Sequence, residues 1–151
     1  MSAVALVDTN VLVYAFDDDE QGKRIRALAV LDSLIWGARG AVSAQVLGEF
    51  YSVLSRRFRH RMTPEAAAGH VRDWSDALST HDTSVAIVLE ALRGCVRYQM
   101  PYYDAQIWAV ARVHHIPLVL SEDFTDGAVI EGVRFANPFA EGFDLDALLT
   151  A

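Results

Sequence analysis

The chain has 151 residues, 52% of them hydrophobic, enough for one domain with a real core and too apolar for a disordered segment. Its single cysteine, Cys95, forbids an internal disulfide and any CxxC zinc site. The formal charge of −7 is unevenly spread: residues 1–120 carry 13 acids against 12 bases, whereas residues 121–151 carry seven acids against Arg134 alone.

Several classes are excluded or weakened at once. Residues 1–7 lack basic residues and meet Asp8 too soon for a signal peptide. No apolar run approaches the roughly 18–20 residues that a membrane span needs. A cytoplasmic protein that does not enter a membrane is therefore expected. Net acidity argues against simple electrostatic binding of nucleic acid. Twelve of the 13 bases are arginine, and Lys23 is the only lysine. GxGxxG, GxxxxGK, HExxH and GxSxG motifs are absent, and the five histidines show no metal-ligand spacing.

In chain order, Ala3–Val7 has the short β-rich composition of a buried parallel strand that stops at Asp8-Thr9-Asn10. A second short apolar stretch reaches Phe16, and Asp17-Asp18-Asp19-Glu20 is expected as a solvated loop favouring the next helix. That helix follows Ile25, Leu28, Leu31, Leu34 and Ile35, with Gly37 and Gly40 expected to end it. Ala41-Val42 predicts a brief strand, and Ser43 a cap for a helix running to about Phe58. Thr63-Pro64 opens a helix to about Leu78, a further helix spans about Ser84 to Gln99, and another runs from Tyr102 to His115. Pro117–Leu120 and Val133–Phe135 are expected strands. Tyr102-Tyr103, Trp74 and Trp108 fit helix packing better than base stacking. The alternation predicts a three-layer α/β/α sandwich on a mostly parallel sheet. A single domain over residues 1–151 is expected, with a core to about 139 and an acidic tail or short helix over 140–151.

In open parallel sheets, ligands bind beyond the carboxyl ends of the strands. Two apolar strands here end in carboxylates, at Asp8 and at Ser121-Glu122-Asp123. Asp104 stands at the start of a helix on the same face as Ile107, Trp108 and Ala111, which directs a carboxylate inward. An inward carboxylate is costly without a cation or donors, although an N-terminal aspartate also serves a helix as a cap. Glu49 has the pattern of an ordinary exposed helical residue, on the flank of a stripe centred on Leu47, Phe50, Tyr51, Leu54 and Phe58. Should these acids converge, their repulsion favours a hard divalent cation, Mg²⁺ or Mn²⁺. An acidic pocket of this kind grips a polyanion only through a metal. Arg56-Arg57-Phe58-Arg59-His60-Arg61 either complements a helix end or forms a phosphate-tracking or partner-docking patch.

Four segments carry a resemblance: Val7-Asp8-Thr9-Asn10-Val11-Leu12, Val46-Leu47-Gly48-Glu49-Phe50, Tyr103-Asp104-Ala105-Gln106-Ile107 and Leu120-Ser121-Glu122-Asp123-Phe124. In order and spacing they resemble the signature segments of PIN domains. Asp126-Gly127 and Asn137-Pro138-Phe139 are similar to the bacterial VapC-like toxin branch. The resemblance implies a Mg²⁺- or Mn²⁺-dependent endoribonuclease that hydrolyses RNA phosphodiester bonds with a metal-activated water. It implies Asp8 and Asp104 as principal ligands and Glu49 and Asp123 as completing the catalytic and metal-binding set. Ser121 stands where the family often has threonine, and Asn10 is implied to orient the first aspartate. Ser121, Asn10, Arg56 and Arg57 are the candidate substrate-binding residues. Asp126 is either a fifth acid or a turn residue. A homodimer and a cognate antitoxin are also implied. Two rivals stand beside this reading. A phospho-acceptor or haloacid-type phosphatase needs a late lysine, which the chain lacks after Lys23. A non-catalytic module with the same fold would bind RNA or a protein.

Overall fold

The computed structural model describes residues 3–150, so readings for residues 1–2 and 151 lie outside it. Six strands form one sheet in the order β3-β2-β1-β4-β6-β5. They are β1 (Ala5–Val7), β2 (Gly40–Ser43), β3 (Ser79–His81), β4 (Leu118–Leu120), β5 (Val129–Ile130) and β6 (Val133–Ala136). All neighbours pair in parallel except β5, which runs antiparallel to β6. The helices are α1 (Thr9–Tyr14), α2 (Gln21–Trp36), α3 (Ala44–Arg57), α4 (Pro64–Ala77), α5 (Val85–Tyr98), α6 (Tyr102–Val113) and α7 (Leu145–Thr150). Among the described residues, no helix is long and apolar enough to cross a membrane.

The centre of the sheet follows from composition. Every residue of β1 and β4 is buried, as parallel strands covered on both faces must be. Helix starts follow from caps: the hydroxyls of Ser43, Thr63 and Ser84 accept from the backbone N–H groups of Val46, Ala66 and Ile87. Pro64 occupies the first turn of α4, where its missing N–H costs nothing. On the inner face of α5, Gly94 lets Trp108 of α6 approach; a Cβ there would lie 2.8 Å from the ring. Trp108 is fully buried and donates its indole N–H to the Ile130 carbonyl at 3.1 Å.

The structure departs from the sequence expectations in several places. The apolar stretch after Asp8, to which the pattern assigns no element, is helix α1, with Asp8 as its cap accepting from Thr9 N at 2.7 Å. Gly40 does not end α2; Gly37 is its cap and Gly40 begins β2, packed beneath Leu34 and Leu78. The loop expected to be solvated is so only in part. Asp17 is fully buried and accepts from Arg57 Nη2 at 2.6 Å, while Asp18, Asp19 and Glu20 are exposed. The buried stripe of α3 runs through Val46, Phe50 and Leu54, and Tyr51 lies outside. Tyr103, expected in the packing, is 65% exposed and meets Tyr102 edge-on. Strands β3 and β5 are unexpected from the sequence: β3 is Ser-Thr-His and mostly exposed, without the apolar run that marks β1 and β4, and β5 is two residues long.

Candidate active site

Strand register builds the centre of the site. Val7 lies opposite Leu120, so the residues that follow, Asp8 and Ser121, leave the sheet side by side at its carboxyl edge. Asp8 N donates to the Leu120 carbonyl at 3.0 Å, and Ser121 N to the Ala136 carbonyl at 3.0 Å. The Ser121 hydroxyl then donates to Asp8 Oδ2 at 2.6 Å. Asn10, the second residue of α1, points its amide back at the same group. Its Nδ2 stands 3.4 Å from Asp8 Oδ2, 3.1 Å from Ser121 Oγ and 3.2 Å from Asp123 Oδ2. Asn10 Oδ1 accepts from Glu122 N at 3.3 Å, and Ser121 Oγ from Asp123 N at 3.1 Å. Asp8, Asn10, Ser121 and Asp123 thus form one hydrogen-bonded unit across two strand ends.

Glu49 enters from α3. The rotation of the buried stripe onto Val46, Phe50 and Leu54 brings Glu49 to its edge, half-buried, rather than leaving it exposed. Its two oxygens are held separately, Oε2 by the Thr9 hydroxyl at 2.8 Å and Oε1 by Gln45 Nε2 at 2.7 Å. Neither Thr9 nor Gln45 was singled out from sequence. Gln45 was legible, since it stands one turn before Glu49 on the same helical face; Thr9 was not, because its partner is 40 residues away. Asp104, in the first turn of α6, is half-buried above a helix whose residues 105–111 are all buried.

Electrostatics ties the four acids together. Burial pushes the Asp8 carboxyl up to about 6; the Ser121 and Thr9 hydrogen bonds oppose this, and the charges of Asp123 and Glu49 add to it. Asp104 is raised by burial and then by the same two neighbours, Asp123 and Glu49. Among the described residues, none of the four is in an ion pair with a Lys, Arg or His. The donor set, all carboxylate oxygen with mutual repulsion and no counter-cation, fits a hard divalent ion by its chemistry. It is not a preassembled cage: among the described residues no three His, Cys, Asp or Glu side chains are placed to hold one ion together.

The remaining candidates lie elsewhere. Arg57 reaches buried Asp17, and Arg61 approaches Asp18 at 3.5 Å, so half of the arginine run fastens the acidic loop to the end of α3. Arg56 is exposed, with Nε on the Ser52 carbonyl at 3.2 Å. Asp126, exposed in a turn, accepts from Asn137 N at 2.9 Å. Beside the acids, Glu122 accepts from the Tyr14 hydroxyl at 2.8 Å and from Lys23 at 3.1 Å, a contact the sequence reading did not contain.

The chain is similar to known proteins in both sequence and fold. The sequence model of the PIN domain matches residues 5–125. No curated protein matches it. Among solved structures, it is similar to a toxin–antitoxin complex from Klebsiella pneumoniae at 22% identity and TM-score 0.66, covering 89% of this chain and 97% of that one. It is also similar to VapC20 of Mycobacterium tuberculosis, described as a toxin cleaving the sarcin–ricin loop, at 24% identity and TM-score 0.60, over 86% and 98% of the two chains. A third is VapBC2 from Rickettsia felis bound to a DNA fragment from its promoter, at 15% identity and TM-score 0.65, over 91% and 98%.

Proposed function

The chain belongs to the PIN domain family, and on that premise we propose that it is a Mg²⁺- or Mn²⁺-dependent endoribonuclease, the toxin of a toxin–antitoxin pair. The observation that carries this reading is the meeting of acids from separate elements at the carboxyl edge of the sheet: Asn10 contacts both Asp8 and Asp123, and Thr9, next to Asp8, holds Glu49. Asp8 at a strand end and Asp104 on a helix, 96 positions apart in sequence, are both perturbed by Asp123 and Glu49. Acids from separate elements that raise one another's protonation without a counter-cation have a use for a divalent ion.

In this reading Asp8, Glu49, Asp104 and Asp123 would hold the ion, which when bound would neutralise phosphate charge and lower the pKa of a coordinated water. The chain's own residues do the rest. Asn10 and Ser121 fix Asp8 and Asp123 relative to each other, and Ser121 favours the charged form of Asp8 by donating to it. Thr9 and Gln45 pin both Glu49 oxygens, which fixes that carboxylate for its place in the set and for helping to position the attacking water. The RNA backbone would enter at the carboxyl edge of the sheet, where the acids alone repel it. A cognate antitoxin, supported by the toxin–antitoxin complexes among the similar folds, belongs to the proposal, as does a homodimer.

The test is cleavage of a fluorogenic single-stranded RNA with Mn²⁺ or Mg²⁺ titrated in, beside an Asp8→Ala protein. Metal-dependent cutting lost in the variant is expected. Cutting that survives in Asp8→Ala would refute the assignment of the site. No cutting by either protein, with no metal-induced shift in Tm, would favour a non-catalytic binding module of the same fold.

A further inference from the structure

A cavity of about 230 Å³ adjoins the acids, with Asp104 in its wall. A second link joins them along the chain. Asp123 belongs to the acids, and the next residue, Phe124, turns its ring into the cavity and stacks on Phe135 at 4.2 Å and 20°. Met100, Ala128 and Ile130 are among the other apolar lining residues, and Gln99 and Thr125 are exposed. Gln99 sits in the left-handed region at φ 56° and donates one of its two amide N–H groups to the Val96 carbonyl at 3.1 Å, with Oε1 an acceptor.

Resting on the nuclease reading, we propose that this cavity receives one nucleobase of the RNA, next to the phosphate that the acids address. The chemistry selects the occupant. No cation lines the cavity and its one charged residue is a carboxylate, so a phosphate is excluded. Flat aromatic walls suit a ring with two apolar faces. Asp104, Gln99 Oε1 and the Thr125 hydroxyl suit the N–H donors at a base edge. An apolar peptide side chain would leave those three groups without new partners, a poorer exchange. The cavity therefore sets which nucleotide stands beside the cut.

The experiment uses the Asp8→Asn protein, which under the proposed function binds RNA without cutting it, and single-stranded oligoribonucleotides carrying 2-aminopurine at successive positions. One position is expected to lose fluorescence on binding, as the base stacks against Phe124. Adding Ala128→Phe, which fills the cavity, is expected to abolish that quench and raise Kd about ten-fold. Adding Gln99→Gly, which keeps the backbone conformation and removes the amide, is expected to weaken it less and guards against misfolding of the bulky variant. Absence of position-specific quenching, or a quench and Kd unchanged in both variants, overturns the proposal. If the parent protein cuts RNA under those outcomes, the pocket assignment alone fails. If it neither binds nor cuts RNA, the nuclease reading fails, and the pocket assignment with it.

Discussion

The Ser121 hydroxyl donates to Asp8 Oδ2 at 2.6 Å across 113 residues of sequence, and both groups are buried. This bond opposes the burial that would otherwise keep Asp8 protonated. Ser121→Ala should therefore raise the Asp8 pKa above about 6 and lower stability by about 1–2 kcal/mol at pH 8. Carboxyl carbon NMR of Asp8 during a pH titration checks it; a midpoint that stays put or falls would refute the assigned role.

Asp8→Asn should stabilise the metal-free protein at neutral pH. The folded pKa of about 6 lies above the ordinary 3.8, so the folded state holds the proton more tightly. Stability from this group is then present below about pH 4 and lost as pH rises through 6. The amide mimics the protonated acid, so its advantage should be about 2–3 kcal/mol at pH 7.5 and vanish near pH 4. Urea unfolding at the two pH values measures it.

Arg57 is half-exposed, yet its partner Asp17 is completely buried. Removing the cation strands a buried carboxylate, so Arg57→Met should cost about 2–4 kcal/mol. Asp17→Asn in the same protein should recover much of it. A loss in the single variant below about 0.5 kcal/mol, the scale of an ordinary surface change, would show the pair to be unimportant.

Thr9→Val keeps the shape of the side chain and removes the donor to Glu49 Oε2. Thermal stability should change by less than about 1 kcal/mol, while RNA cleavage should fall at least ten-fold, chiefly in kcat. Equal loss of fold and activity would make Thr9 a packing residue only.

Gly94→Ala should destabilise despite the better helix propensity of alanine, worth about 1 kcal/mol. The added Cβ meets the Trp108 ring at 2.8 Å, and that ring is held by its bond to Ile130. A net loss of about 1–3 kcal/mol is expected, read from denaturant midpoints.

Most of this fold is local in origin, and so the sequence by itself determined it. Capping hydroxyls at Ser43, Thr63 and Ser84 start three helices, and the fully apolar runs of β1 and β4 make them inner parallel strands. The acids at the two strand ends follow from the same runs, since strand ends are where parallel sheets present side chains. Tertiary structure decided what depends on distant partners. Asp17 is buried because Arg57 arrives from 40 residues away, whereas its neighbours in the acidic run remain in water. Glu49 is half-buried against Thr9 because of how α3 rotates against the core, a matter of packing that a helical pattern does not decide. Asp104 stands in the cavity wall beside the acids only because α6 and the segment after β4 converge, and no periodicity within either records the other.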